Sequence, residues 1–168
     1  MIKKLFPDAH VDTIYDVNYK KMYEEGIRGI LFDIDNTLVP YDVAHPNEKI
    51  IRLFEELKEM GFKICLVSNN NKDRVIKFNE SLKLIAIHKA LKPFTKNLRK
   101  AMKLLETTNQ ETVIVGDQIF TDVLGGNRLN IKTVLVVPIQ DKEEWITKVK
   151  RRTEKRIIDL YKRRDEKC

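Results

Sequence analysis

Cysteine is scarce, with two in 168 residues: Cys65 inside the apolar run Ile64-Cys65-Leu66-Val67, and Cys168 at the last position. This usage excludes a disulfide framework and a zinc cluster, and it fits a reducing, cytoplasmic setting. Long apolar runs are missing too. Nothing approaches the about 18 apolar residues of a membrane span, and Met1-Ile2-Lys3-Lys4-Leu5-Phe6-Pro7-Asp8 leads into no apolar segment of signal-peptide length. No internal repeat or low-complexity tract occurs, so one compact domain over 1–168 is expected. Most of the chain also lacks net charge. Positions 148–164 hold nine basic and two acidic residues, a surplus equal to the formal +7 of the whole chain. An expectation of anionic partners therefore attaches to the C-terminal segment.

What the chain does have is an apolar stretch that ends abruptly in polar groups: Gly29-Ile30-Leu31-Phe32-Asp33-Ile34-Asp35-Asn36-Thr37-Leu38. Four β-favouring residues before Asp-x-Asp-x-Thr read as a buried strand that delivers costly carboxylates to the rim of a sheet. Before it, residues 1–27 read as an N-terminal appendage with a short helix over 19–25 stopped by Gly26. After it, 38–46 reads as a loop. Asn47 caps a helix whose apolar face is Ile50, Ile51, Leu53, Phe54 and Leu57, ending at Gly61. A strand over 62–67 ends in Ser68-Asn69-Asn70-Asn71, followed by a helix over 72–82 and a short strand over 84–88. Thr95 is placed to cap a helix that buries Leu98, Ala101, Met102, Leu104 and Leu105. The strand over 112–115 ends in Gly116-Asp117, a helix starting near Asp122 yields to Gly125-Gly126, and the last strand covers 133–137.

Short apolar strands alternating with helical patterns predict an α/β fold, a Rossmann-like parallel sheet with helices on both faces, spanning a core of 28–138. Parallel strands end on one edge, so Asp33, Asp35, Ser68, Lys92 and Asp117 should converge there. Taken singly, each of these is ordinary turn chemistry. Gathered together, two or three carboxylates repel one another unless a cation sits among them, and an oxygen-rich site suits Mg²⁺.

In this order, Asp33-Ile34-Asp35-Asn36-Thr37, Ser68, Lys92-Pro93 and Gly116-Asp117 with Asp122 resemble the four motifs of the haloacid dehalogenase-like phosphohydrolase superfamily. More narrowly, Asp35-Asn36-Thr37-Leu38-Val39, Val67-Ser68-Asn69-Asn70-Asn71 and the stretch from Gly116-Asp117-Gln118 to Asn127-Arg128 resemble the bacterial YqeG-like family, itself similar to phosphatidylglycerophosphate phosphatases. The resemblance implies a phosphoric monoester hydrolase. Asp33 would be the nucleophile that forms an aspartyl-phosphate, and Asp35 the acid and base. It further implies Mg²⁺ held by Asp33, Asp117 and the Asp35 carbonyl, with Asp122 bracing that shell or the lysine. Lys92 would balance charge on phosphorus; Lys89, its neighbour, is read as a surface residue. Substrate contacts would come from Thr37, Ser68, Asn69 and Arg128. Asn36 is read as local structure, and His45 and His88 as structural or exposed.

Neither the interval from Thr37 to Ser68 nor that from Ser68 to Lys92 has room for a cap domain, so the site is expected to be open. An open site favours a substrate whose own bulk or surroundings exclude water: a protein, a nucleic acid end or a lipid headgroup. Within 139–168, Trp145, Ile146, Val149, Ile157, Leu160 and Tyr161 form one side of a basic amphipathic helix. Three readings of that helix stand open: packing on the sheet, peripheral contact with an anionic membrane, or RNA and ribosome binding, the last without interleaved stacking aromatics. Phosphatidylglycerophosphate is the best-fitting substrate, and a protein, nucleotide or sugar phosphate is the alternative. A basic binding module with an incidental phosphatase site is the rival of a different class.

Overall fold

A computed structural model describes residues 2–140 and 145–165. Six parallel strands form one sheet in the order β1-β6-β5-β2-β3-β4: β1 Ala9–Val11, β2 Gly29–Phe32, β3 Lys63–Val67, β4 Ile85–Ile87, β5 Thr112–Gly116 and β6 Lys132–Val136. The helices are α1 Tyr19–Glu24, α2 Glu48–Glu59, α3 Lys72–Asn79, α4 Lys96–Leu105, α5 Leu124–Leu129 and α6 Trp145–Asp165. A single 3-10 turn covers Ile2–Leu5, and a π-helical turn, Ile119–Val123, leads into α5.

β2 is central because both of its faces are apolar. Ile30 and Phe32 pack with Ile50, Phe54 and Leu57 of α2 and with Val75 and Phe78 of α3, while Leu31 packs on the other side with Leu98, Ala101 and Met102 of α4. Period-two alternation within one strand thus builds two separate cores. Asn47 Oδ1 accepts from Ile50 N–H at 2.9 Å and starts α2; Gly26 (φ +96°) and Gly61 (φ +98°) end α1 and α2 in a conformation few side chains tolerate.

Several expectations need correction. Residues before Arg28 are part of the sheet, because β1 pairs with β6 through Ala9–Val134, His10–Leu135 and Val11–Val136. Three residues without alternation give no strand signal in isolation. Thr95 makes no side-chain cap to α4, its backbone being already helical, and Leu104 is 47% exposed. Gly125 and Gly126 do not stop a helix; they lie inside α5. A Cβ on Gly126 would fall 2.5 Å from Thr133 Cγ2 and 2.7 Å from Ile114 Cγ2, so the glycines let α5 lie close against the sheet. Of the C-terminal helix, Ile157 is buried with Ile119, Val123 and Leu135, and Tyr161 meets Phe6 with ring centres 6.1 Å apart, so this part of α6 packs on the core. Trp145, Ile146 and Val149 have side chains outside the described residues.

Candidate active site

Every strand ends at the same edge, and the polar residues that follow β2, β3, β4 and β5 meet there. Asp33 follows β2, Ser68 follows β3, Lys92 sits in the loop after β4, and Asp117 follows β5. Asp33, Asp117 and Asp122 each offer an oxygen within 4.8 Å of the others, and all three are buried. Lys92 faces this cluster, its Nζ 2.7 Å from Asp33 Oδ1 and 2.6 Å from Asp122 Oδ1.

One ammonium against three buried carboxylates leaves negative charge in excess. Burial pushes Asp33 up to about 6 even though Lys92 pulls it down. Asp117 is also driven well above the usual carboxylate range, first by burial and then by Asp33 and Asp122. For Lys92, burial works to lower the pKa, but Asp122 and Asp33 more than offset it and the group is raised. An all-oxygen donor set with uncompensated negative charge fits a hard divalent cation.

Around the cluster, hydrogen bonds hold each group in place. Thr37 Oγ1 donates to Asp117 Oδ1 at 3.2 Å and, more weakly, to Asp33 Oδ2 at 3.5 Å. Ser68, 1% exposed, accepts from Asn70 N–H at 3.0 Å through its Oγ, which leaves its own proton available to donate. Asp122 Oδ2 accepts from Gln118 N–H at 3.2 Å. Gly116 is required here, since a Cβ would fall 2.3 Å from Asp122 Cγ. Asn36 turns the chain at φ +63°; its N–H donates to Val39 C=O, and its carbonyl accepts from Ile139 N–H.

Two residues, Asn69 and Arg128, stand differently from the sequence expectation, and the Asp35 side chain has partners the sequence did not show. Asn69 spends its amide on the backbone of Lys92, accepting from Lys92 N–H at 2.7 Å and donating to Lys92 C=O at 3.0 Å, so it positions the lysine. Arg128 donates to the Pro93 carbonyl at 3.1 Å and reaches the site only through that loop. The Asp35 side chain is outside the carboxylate cluster: Arg74 Nε and Nη2 donate to its Oδ1 at 3.1 and 3.0 Å, and Asn70 Nδ2 donates to its Oδ2 at 3.0 Å. Arg74 also donates to Ala44 C=O at 3.1 Å, tying the loop after β2 to α3. Sequence reasoning missed Arg74, because a lone arginine in the first turn of a helix carries no signal of its partner. Lys89 is exposed, as are His45 and His88.

The family profile described as "Haloacid dehalogenase-like hydrolase" matches residues 41–136, a span that begins after Asp33 and Asp35. The chain is 42% identical over 165 residues to the "Probable phosphatase YqeG" of Bacillus subtilis (strain 168), covering 98% of this chain and 96% of that one. It therefore belongs to the haloacid dehalogenase-like hydrolase family, and it is an enzyme. A second relative, "Phosphatidylglycerophosphate phosphatase 1, chloroplastic/mitochondrial" of Arabidopsis thaliana, is 27% identical over 174 residues; the match takes in 95% of this chain and 49%, about half, of the plant protein. Among solved structures, the cobalt-bound deoxy-D-mannose-octulosonate 8-phosphate phosphatase YrbI of Haemophilus influenzae shares the fold, with a TM-score of 0.52 at 13% identity over 82% of this chain and 90% of that one.

Proposed function

We infer that the protein is a haloacid dehalogenase-type phosphatase that hydrolyses phosphate monoesters through an aspartyl-phosphate on Asp33. The observation that carries this reading is the Lys92 ammonium set between Asp33 and Asp122, with Asp117 completing the cluster at an open sheet edge. Asp33 Oδ would attack phosphorus as the ester P–O bond breaks, and Asp35 would give the leaving alkoxide its proton. Water then attacks the phosphorus of the aspartyl-phosphate, Asp35 takes the proton, and inorganic phosphate leaves with the Asp33 carboxylate restored. Asp35 Oδ1 accepts both Arg74 bonds while Oδ2 accepts one from Asn70, so Oδ2 keeps a lone pair for the proton exchanged with the leaving group and water. Ser68 would hold a phosphoryl oxygen, while Lys92 would stabilise charge gathering on phosphorus, with Asn69 fixing its backbone.

Asp33, Asp117 and the Asp35 carbonyl would hold Mg²⁺, with Asp122 bracing both this shell and Lys92. When bound, the ion supplies positive charge that lets an anionic carboxylate approach an anionic phosphate.

Phosphatidylglycerophosphate is the substrate we favour. Only α2 and β3 lie between Thr37 and Ser68, and only α3 and β4 between Ser68 and Lys92, so neither interval carries a cap domain. The plant relative's name supplies the particular lipid. The test is turnover of a panel of soluble phosphate esters and phosphatidylglycerophosphate in anionic micelles by wild type and Asp33→Asn with Mg²⁺. Phosphate release from the lipid by wild type alone is expected. Turnover of soluble esters with none of the lipid discards the lipid assignment, and undiminished activity of Asp33→Asn discards the mechanism.

A further inference from the structure

Ten large apolar side chains are exposed among the described residues, and six of them are at the catalytic edge. Tyr41 and Val43 lie in the loop after β2, Leu91 and Phe94 in the loop after β4, and Val137 and Ile139 in the loop after β6. Leu91 and Phe94 are the most exposed, at 61% and 69%. With adjacent strands about 4.8 Å apart, the loops after β4 and β6 stand roughly 19 Å apart and flank the aspartates that follow β2 and β5. A groove of about 530 Å³ lies against this rim. Ile14, Leu38, Pro40, Val137 and Ile139 line it, together with Thr37, the residue bonded to Asp117 and Asp33.

The loop after β4 also carries charge of one sign, although the chain outside 148–164 is neutral in sum. Residues 89–96 hold Lys89, Lys92 and Lys96 and no Asp or Glu, and of the three only Lys92 is buried. Lys89 and Lys96, both exposed, bracket Leu91 and Phe94. Two exposed apolar side chains between two cations, on a loop that projects from a sheet edge, match the headgroup boundary of an anionic bilayer: apolar tips below, ammonium groups at the phosphates.

We propose that the catalytic edge is itself the lipid-facing surface, with the loop over residues 89–96 inserted into the headgroup region of an anionic bilayer so that the site meets its ester in the membrane plane. The proposal rests on the phosphatase reading and deepens it. The bilayer takes the place of a cap, covering the open site and excluding water. Contact is made by the loops that carry the catalytic groups, not by the basic helix α6.

The full-length chain is tested by co-sedimentation with vesicles of phosphatidylcholine containing about 30% phosphatidylglycerol, and with phosphatidylcholine alone. Wild type should bind only the anionic vesicles, and Leu91→Ser/Phe94→Ser should weaken binding about tenfold or more while leaving turnover of soluble p-nitrophenyl phosphate unchanged. Lys89→Gln/Lys96→Gln should weaken binding and reduce its salt dependence. If Leu91→Ser/Phe94→Ser disturbs folding, Val137→Ser/Ile139→Ser on the opposite loop carries the same test. Absence of wild-type binding, as a protein-facing rim would give, overturns the proposal. So does binding that survives the loop substitutions and is lost only with Arg151→Gln/Arg152→Gln/Lys155→Gln. Vesicle binding that depends on the loop, with no turnover of any phosphate ester, would uphold the docking surface and overturn the phosphatase reading alone.

Discussion

Arg74 grips the Asp35 carboxylate from 39 residues away, with Nε and Nη2 on one oxygen at 3.1 and 3.0 Å. The pair is nearly buried, side-chain exposures being 13% and 14%, so its geometry is little loosened by water. Because Asp35 is the proposed acid and base, Arg74→Ala should lower kcat about 10- to 100-fold with little change in KM, and Arg74→Lys should recover part of the loss. Steady-state kinetics on a soluble ester check this. An equal fall in thermal stability for both variants, with kcat unchanged, would reduce Arg74 to a structural brace.

Removing one carboxylate from the cluster should relieve repulsion when no cation is present. Asp117→Asn keeps an oxygen that can accept from Thr37, and in EDTA it should unfold at a temperature equal to or above wild type. Mg²⁺ should raise the wild-type midpoint, by about 2.7 kcal/mol of stability at a hundredfold excess over Kd, and should do little for the variant. Thermal unfolding with and without Mg²⁺ measures both effects. A large destabilisation of the variant in EDTA would show that Asp117 is held by something other than charge balance.

Gly126 and Gly26 are required for different reasons, and substitution separates them. Gly126→Ala drives a methyl into Thr133 and Ile114 and should cost about 1–3 kcal/mol. Gly26→Ala meets no neighbour within 4 Å and costs only its φ of +96°, on the order of 1 kcal/mol. Denaturant midpoints should rank the two variants in that order.

Cys65 gives an alkaline signature. Burial pushes its thiol up from 9.0 to about 12, so the folded state keeps a proton that the unfolded state releases across that window. Its contribution to stability is present below about pH 9 and is lost as pH rises toward 12; Tyr19, raised by burial and then by Tyr15, acts in the same direction. Urea midpoints of a Cys168→Ser variant should fall between neutral pH and about pH 10.5, and its remaining thiol should resist Ellman's reagent until the protein unfolds. Rapid labelling at neutral pH would contradict the burial.

Much of the fold is legible because its signals are local. Asn47 as a cap, Gly26 and Gly61 as stops, and the apolar faces of α2 and α4 depend on residues within a turn or two of each other. β1 is not legible, since three residues become a strand only when β6 lies alongside. Gly125-Gly126 misleads for a related reason: glycine as a helix stop is a local rule, while here the sheet beneath α5 demands it. At the site, the residue types at the strand ends could be read in order. Asn69 as a clamp on Lys92 and Arg74 as a clamp on Asp35 could not.

The amino-acid sequence by itself determined that apolar strands would end in Asp33, Ser68 and Asp117, and that a parallel sheet would bring those ends to one edge. Periodicity and strand direction are enough for that. Only the tertiary structure decided who bonds to whom. It put Lys92 between Asp33 and Asp122, turned Asp35 toward Arg74 and Asn70, and packed Ile157 of α6 on the core while Leu91 and Phe94 stayed exposed. Hydrogen-bond and ion-pair partners depend on separations of a few ångströms between chain segments tens of residues apart, and those separations are set by strand order and helix packing.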